Sequence, residues 1–158
     1  MRIGHGYDAH RFTDGDALVL GGVKIPFERS FLAHSDGDVL IHALIDALFG
    51  AAGMPDIGAH FPPSDERYRG IDSMVLLRET VGLLWDSGLA VEYADMTIVA
   101  QRPKMGPHLA AMRERIAEVL GIPVTRVNVK ATTEEKMGFT GREEGIAAHA
   151  VCLLREAE

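Results

Sequence analysis

The chain has 158 residues, 47% hydrophobic and 25% charged, a length and balance that suit one compact core. Its formal net charge of -7 argues against nucleic acid or an anionic membrane surface as partner, since neither attracts an acidic protein without a local basic patch. A single cysteine, Cys152 in the apolar run AHAVCLL, allows no intrachain disulfide; a buried thiol in a cytoplasmic protein is the simplest expectation.

In chain order, MRIGHGYDAH is expected as a strand, with Ile3, His5 and Tyr7 on one face and Asp8 and His10 on the other. ALVLGGVKIPF reads as a hairpin around Gly21 and Gly22. A helix follows from SDGD through VLIHALIDALFGAAG, capped by Ser35 or Asp36 and stopped at Gly53. DIG through FPPSDERYRG is a loop by its proline, glycine and serine content. DSMVLLRETVGLLWDSG is a second helix with Asp72 or Ser73 as cap and Gly88 as terminator. VEYADMTIVAQ is a strand ended by Pro103, and PHLAAMRERIAEVLG a third helix ending at Gly121. RVNVKATT and GIAAHAVCLLRE are the last strands, with the glycine-punctuated EEKMGFTGREEG between them.

These elements predict an α+β fold, one mixed sheet with helices on one face, in a single domain over residues 1–158. No repeat, low-complexity tract or linker divides the chain. No apolar run is long enough to span a bilayer, and the charged opening MRIGHGYDAHRF is unlike a signal or transit peptide. A sheet covered on one face leaves the other to be buried elsewhere, and oligomerisation is one solution.

Asp8-Ala9-His10 places two metal-compatible side chains on one strand face. Alone, that spacing describes surface polar residues at least as well as ligands. His42 adds to it: a histidine in the apolar helix VLIHALIDALF, with Asp38 and Asp46 one turn away on either side. Either a core histidine bonded to Asp46, or a third ligand whose tautomer Asp46 or Asp38 fixes, accounts for it. The presence of Asp8 and His10 favours the ligand. His5, His60, His108 and His149 have no comparable setting.

Phosphate-handling groups are sparser, because the chain has neither a P-loop nor a dinucleotide-binding glycine pattern. KATTEEKMGFTGR offers the hydroxyls of Thr132 and Thr133, and Glu135 as a hard oxygen ligand for magnesium. On its own, TTEE is better explained as a helix cap with acidic first-turn residues. AQRPKMGPH suits a rigid edge around a planar base, with Lys104 near phosphate. His34 and Ser35 precede a helix N-terminus, where an anion is stabilised.

Together RIGHGYDAH, LGGVKIP, LAHSDGDVLIHALIDAL, DIGAHFP, TIVAQRPKM and VNVKATTEEKMGFTGREEGIA resemble the 2-C-methyl-D-erythritol 2,4-cyclodiphosphate synthase family, in order along nearly the whole chain. The resemblance implies zinc, one per subunit, on Asp8, His10 and His42, and magnesium or manganese on Glu135 between the nucleotide phosphates. It implies that His34 and Thr133 stabilise the transition state, with Ser35 beside His34 also touching substrate. Asp56, Ile57, Gly58, Phe61, Pro62, Pro63, Ser64 and Asp65 would contact the methylerythritol 2-phosphate part. Ala100, Gln101, Arg102, Pro103, Lys104, Met105, Gly106 and Thr132, with Glu134, would hold the cytidine diphosphate part from the neighbouring subunit of a homotrimer. Tyr7, Phe139, Arg142 and Glu144 match positions around an axial cavity that holds an isoprenoid diphosphate in some members. Pro63, where some members are acidic, and Tyr7, where others carry phenylalanine, depart from the family pattern. A zinc-dependent phosphohydrolase and a non-catalytic trimeric binding module with a closed, four-ligand zinc are the alternative readings; no fourth protein ligand with suitable spacing is evident.

Overall fold

Seven strands and five helices follow one another through residues 1–158, all of which the computed structural model describes. Strand β1 (Arg2–Asp14) pairs antiparallel with β7 (Gly145–Glu156), and β7 pairs antiparallel with β5 (Leu89–Val99). β5 pairs parallel with β6 (Val127–Thr132), and the crossover that parallel strands require runs through α4 (Leu109–Leu120). With β4 (Arg29–Phe31) on the outer edge of β1, the sheet order is β4-β1-β7-β5-β6.

β2 (Ala17–Leu20) and β3 (Val23–Pro26) form a separate two-stranded hairpin rather than part of a single sheet. Its turn residues Gly21 and Gly22 have φ of 61° and 73°, the left-handed pair that a two-residue hairpin turn demands. The first strand also runs four residues beyond its expected end, and β4, short and polar at its start, was not expected.

Helix α1 (Val39–Ala52) is apolar on almost every side because it is buried on almost every side. Leu40, Ile41, Leu44, Ile45, Leu48 and Phe49 are all fully enclosed. One stripe of the helix, Ala43, Ala47 and Ala51, lies directly on β1 at Gly4 and Gly6. A side chain at Gly4 would run into the Ala47 carbonyl, and one at Gly6 into the Ala43 carbonyl. Small residues on both partners thus bring the two backbones together. Helix α3 (Ser73–Asp86) packs on α1, and α4 packs on α3.

The caps match the expected stops, with Gly53 and Gly121 left-handed and Gly88, also left-handed, just beyond α3. The start of α1 differs. Its cap is Asp38, not Ser35 or Asp36: the Asp38 side chain accepts from Ile41 N and also from Gly21 N and Gly22 N. A fully buried carboxylate therefore ties the hairpin turn to the helix, and burial pushes its pKa up to about 6.

The face of the sheet away from the helices is uncovered. Ile3, His5 and Tyr7 of β1, His149 and Val151 of β7 and Tyr93 of β5 stand on it, Ile3 at 71% exposure and Tyr7 at 47%. No helix is long and apolar enough to cross a membrane. Cys152 is buried, which pushes its thiol up to about 12 and leaves it unreactive.

Candidate metal centre and phosphate clefts

The glycine contact between β1 and α1 sets the position of the polar residues beyond it. Gly6 meets α1 at Ala43; two residues farther along the strand, Asp8 faces the same way, and on the helix the neighbour of Ala43 is His42. Asp8, His10 and His42 consequently converge, each offering one ligand atom, all within 4.8 Å of one another. His10 Nε2 lies 3.0 Å from Asp8 Oδ2, His42 Nδ1 3.2 Å from the same oxygen, and the two nitrogens 3.1 Å apart.

That donor set fits zinc. Bond lengths near 2.1 Å in a tetrahedron separate neighbouring ligand atoms by about 3.4 Å, only a few tenths beyond the spacing seen here. Two imidazoles and a carboxylate are common zinc ligands, and three protein ligands leave one position open. The open side faces a cavity of about 330 Å³ whose walls include His34, Ser35, Ile57, Gly58, Phe61 and Pro63.

Charge is coupled within the cluster. Burial works to raise the Asp8 carboxyl, but hydrogen bonds from His10 and His42 and their charge outweigh it and hold its pKa at about 2. Burial lowers the pKa of His42, yet the Asp8 hydrogen bond and charge, helped by Asp38 and Asp36, lift it above the ordinary 6.5.

Neither acidic helix neighbour holds His42. Asp38 is the cap described above, and Asp46 accepts from Ile57 N at 2.8 Å, anchoring the start of the 57–65 loop to α1. His42 Nε2 instead meets Ser73 Oγ at 2.8 Å and Ser35 Oγ at 3.2 Å. Ser73 was visible in the sequence only as a possible helix cap; Asp72 fills that role, accepting from Met74 N. This left Ser73 free to face inward.

The loop after α1 holds a short helix α2 (Ile57–His60), capped by Asp56, and one 3₁₀ turn (Glu66–Tyr68) capped by Asp65. Asp65 also grips Arg67 at 2.7 Å, and its carbonyl lies 3.5 Å from His34 Nε2. Asp56, Pro62, Ser64 and Asp65 therefore border the cavity without lining it.

A second cleft, about 580 Å³, is lined by Ala100, Gln101, Pro103, Lys104, Met105, Gly106, Thr132 and Thr133 among others. Arg102 turns away, pairing with Glu28 at 2.9 Å and Glu143 at 3.4 Å. Thr133 Oγ1 accepts from Glu135 N, and Glu135 and Lys136 both adopt left-handed backbone, φ 54° and 65°. TTEE is therefore a tight turn and not the first turn of a helix. Glu134 and Glu135 stand exposed at its edge. The first and second clefts share no lining residue, so His34 and Thr133 open onto different cavities. Phe139 and Glu144 line a small third cleft with His10, which borders both; Arg142 pairs with Glu144, and Tyr7 packs on His149.

Residues 1–155 match the YgbB family. The chain belongs to that family. A relative from Pseudomonas putida (strain W619), named 2-C-methyl-D-erythritol 2,4-cyclodiphosphate synthase, is 64% identical over 99% of this chain and 100% of its own length. One from Azotobacter vinelandii, with the same name, is 64% identical over 98% of both chains. Among solved structures, the bifunctional IspDF from Campylobacter jejuni superposes with a TM-score of 0.95 at 40% identity, across 99% of this chain and 42% of that one. The IspF of Plasmodium falciparum, in complex with CDP, gives 0.86 at 34% identity over 99% and 97%. A 2C-methyl-D-erythritol-2,4-cyclodiphosphate synthase in its CDP-bound form gives 0.89 at 40% over 98% and 100%.

Proposed function

We propose that this protein converts 4-diphosphocytidyl-2-C-methyl-D-erythritol 2-phosphate to 2-C-methyl-D-erythritol 2,4-cyclodiphosphate and CMP, as a homotrimer with active sites between subunits. The observation that carries this reading is the Asp8–His10–His42 cluster opening onto a walled cavity, in a chain 64% identical along its length to a protein named for that synthesis.

An oxygen of the 2-phosphate bonds to the β-phosphorus while the bond from that phosphorus to the α–β bridging oxygen breaks. The electron pair leaves with CMP. The attacking phosphate is already ionised near neutral pH, so no general base is required. Positioning and charge stabilisation then carry the rate. Zinc on Asp8, His10 and His42, and magnesium or manganese on Glu135, supply neutralisation of phosphate charge when bound.

The chain's own groups do the rest. The loop from Asp56 to Asp65, held to α1 through Asp46, cradles the methylerythritol 2-phosphate. The Ala100–Gly106 edge with Thr132 holds the cytidine diphosphate, and Lys104 adds a positive charge. His34 and Thr133 donate to oxygens that gain charge as the ring closes. The separation of His34 and Thr133 into two clefts supports a shared site. Asp8, Ala148, Ile98 and Ala131 form one row across the sheet, so three strand spacings, about 14 Å, lie between the two clefts' strands. In a homotrimer, a neighbouring subunit's second cleft would complete this metal centre.

Phosphorus NMR of the substrate with magnesium and zinc tests the reading. Cyclic diphosphate and CMP should appear together, and both should vanish with a chelator or with His42→Ala. An opened phosphate would assign a hydrolase, and unchanged substrate from folded, zinc-loaded protein would leave a binding module.

A further inference from the structure

We infer that Ser73 and Asp36 are positioning residues for the metal centre: as a carboxylate–hydroxyl pair they claim the Nε2 proton of His42, and so present its Nδ1 to the metal. The inference rests on reading Asp8, His10 and His42 as metal ligands, and not on the reaction that follows.

Ser73 is fully buried at the first position of α3, and its hydroxyl donates to Asp36 Oδ1. The Asp36 carboxylate is an acceptor only, and it is held in place by two further donors: Ser73 N at 2.9 Å on Oδ2, and Asp38 N at 3.0 Å on Oδ1. A hydroxyl has one proton, and here it is committed to the carboxylate. What Ser73 Oγ turns toward His42 Nε2, 2.8 Å away, is a lone pair. The short contact is attractive only if Nε2 carries hydrogen. The neutral ring then has its remaining lone pair on Nδ1, the atom beside Asp8 Oδ2 and His10 Nε2.

The chain Asp36–Ser73–His42 thus has the logic of a carboxylate behind a metal-bound imidazole, relayed through one hydroxyl. It fixes the ring's rotation and tautomer, and it makes Nδ1 a stronger donor by drawing on the Nε2 proton. Ser35 does not replace it. Its hydroxyl is farther from Nε2, at 3.2 Å, and its oxygen accepts from Gly37 N while lining the open cavity.

The test uses zinc-loaded full-length protein labelled with ¹⁵N-histidine. The expected spectrum shows His42 bound through Nδ1, with an Nε2 proton shifted downfield and protected from solvent exchange. Ser73→Ala should lose that protection and bind zinc about 10- to 100-fold more weakly, the usual cost of removing an outer-shell partner. Asp36→Asn, which keeps an acceptor but removes its charge, should fall between. The wild-type spectrum alone overturns the inference if His42 ligates through Nε2, as does Ser73→Ala with an unchanged Nε2 proton and zinc affinity within twofold. Zinc that fails to bind the wild type sinks this inference with the metal reading. Normal zinc binding without turnover sinks only the proposed reaction.

Discussion

The Asp8 carboxylate stands 3.2 Å from His42 Nδ1 and 3.0 Å from His10 Nε2, so a proton on His42 completes an ion pair that a metal would otherwise replace. His42 has its pKa raised above 6.5, and a raised basic group stabilises the metal-free fold below its unfolded pKa. That contribution is lost as pH rises through the folded value. Zinc needs the neutral ring, so its binding must expel the proton, and the two effects run in opposite directions with pH. Zinc affinity should therefore climb as pH rises past 6.5, by about tenfold per unit where one proton is displaced, and level off once His42 is neutral without the metal. Calorimetry in buffers of different ionisation enthalpy reads the proton release directly. The zinc-induced rise in Tm should grow over the same interval. A zinc increment that does not change as pH rises past 6.5 would show that zinc displaces no proton from His42.

At the scale of elements, the site depends on how closely α1 rests on β1. Gly6→Ala would drive a methyl group into the Ala43 carbonyl, and no side-chain rotation relieves a clash with backbone. Overpacking of this kind costs roughly 1–3 kcal/mol, so a fall in Tm of several degrees is expected. Because Ala43 adjoins His42, lifting the helix also pulls His42 from Asp8 and His10, and zinc affinity should fall with stability. Gly82→Ala, inside α3 with open space around the added methyl, serves as the control: it should leave zinc affinity unchanged and raise stability by about 0.5–1 kcal/mol, the helix preference of Ala over Gly. If Gly6→Ala lost stability but bound zinc as tightly as the wild type, the glycine contact would not be what sets the ligand geometry. This contact also marks where the sequence stops being legible. Asp8 and His10 could be placed together from strand alternation, and His42 stood out as a histidine in an apolar helix. Nothing in the spelling RIGHGYDAH says that its two glycines are seats for a particular helix. Ser73 was equally hidden, since a serine beside an aspartate at a helix start looks like a cap wherever it points. The glycine-marked ends of α1, α3 and α4 were readable because left-handed backbone limits the choice of residue. The short strand β4 was not readable, because its three residues pair only through the unexpectedly long end of β1.

For the whole molecule, the uncovered sheet face and the two clefts raise the same question. Ile3, Tyr7, Tyr93 and Val151 together present more apolar surface than scattered exposed residues require, and they flank the ionisable pair His5 and His149, 3.2 Å apart. A symmetric assembly that buries this face can also unite cavities that one chain keeps apart. That arrangement predicts complementation between two inactive variants. His42→Ala damages only the metal cleft and Thr133→Ala only the nucleotide cleft. If each site takes one cleft from each of two neighbouring subunits of the proposed trimer, every mixed trimer places an intact metal cleft against an intact nucleotide cleft at one of its three sites, and since three in four randomly assembled trimers are mixed, roughly a quarter of all sites are intact. Co-expression of the two variants should thus restore about a quarter of wild-type turnover, although each alone has little. Tagging the two variants differently and purifying on both tags isolates the mixed assemblies, and sedimentation gives their mass. Were both clefts of one active site drawn from the same chain, every subunit in those assemblies would carry one lesion in its own site. Turnover would then stay at the level of the single variants however the subunits mixed.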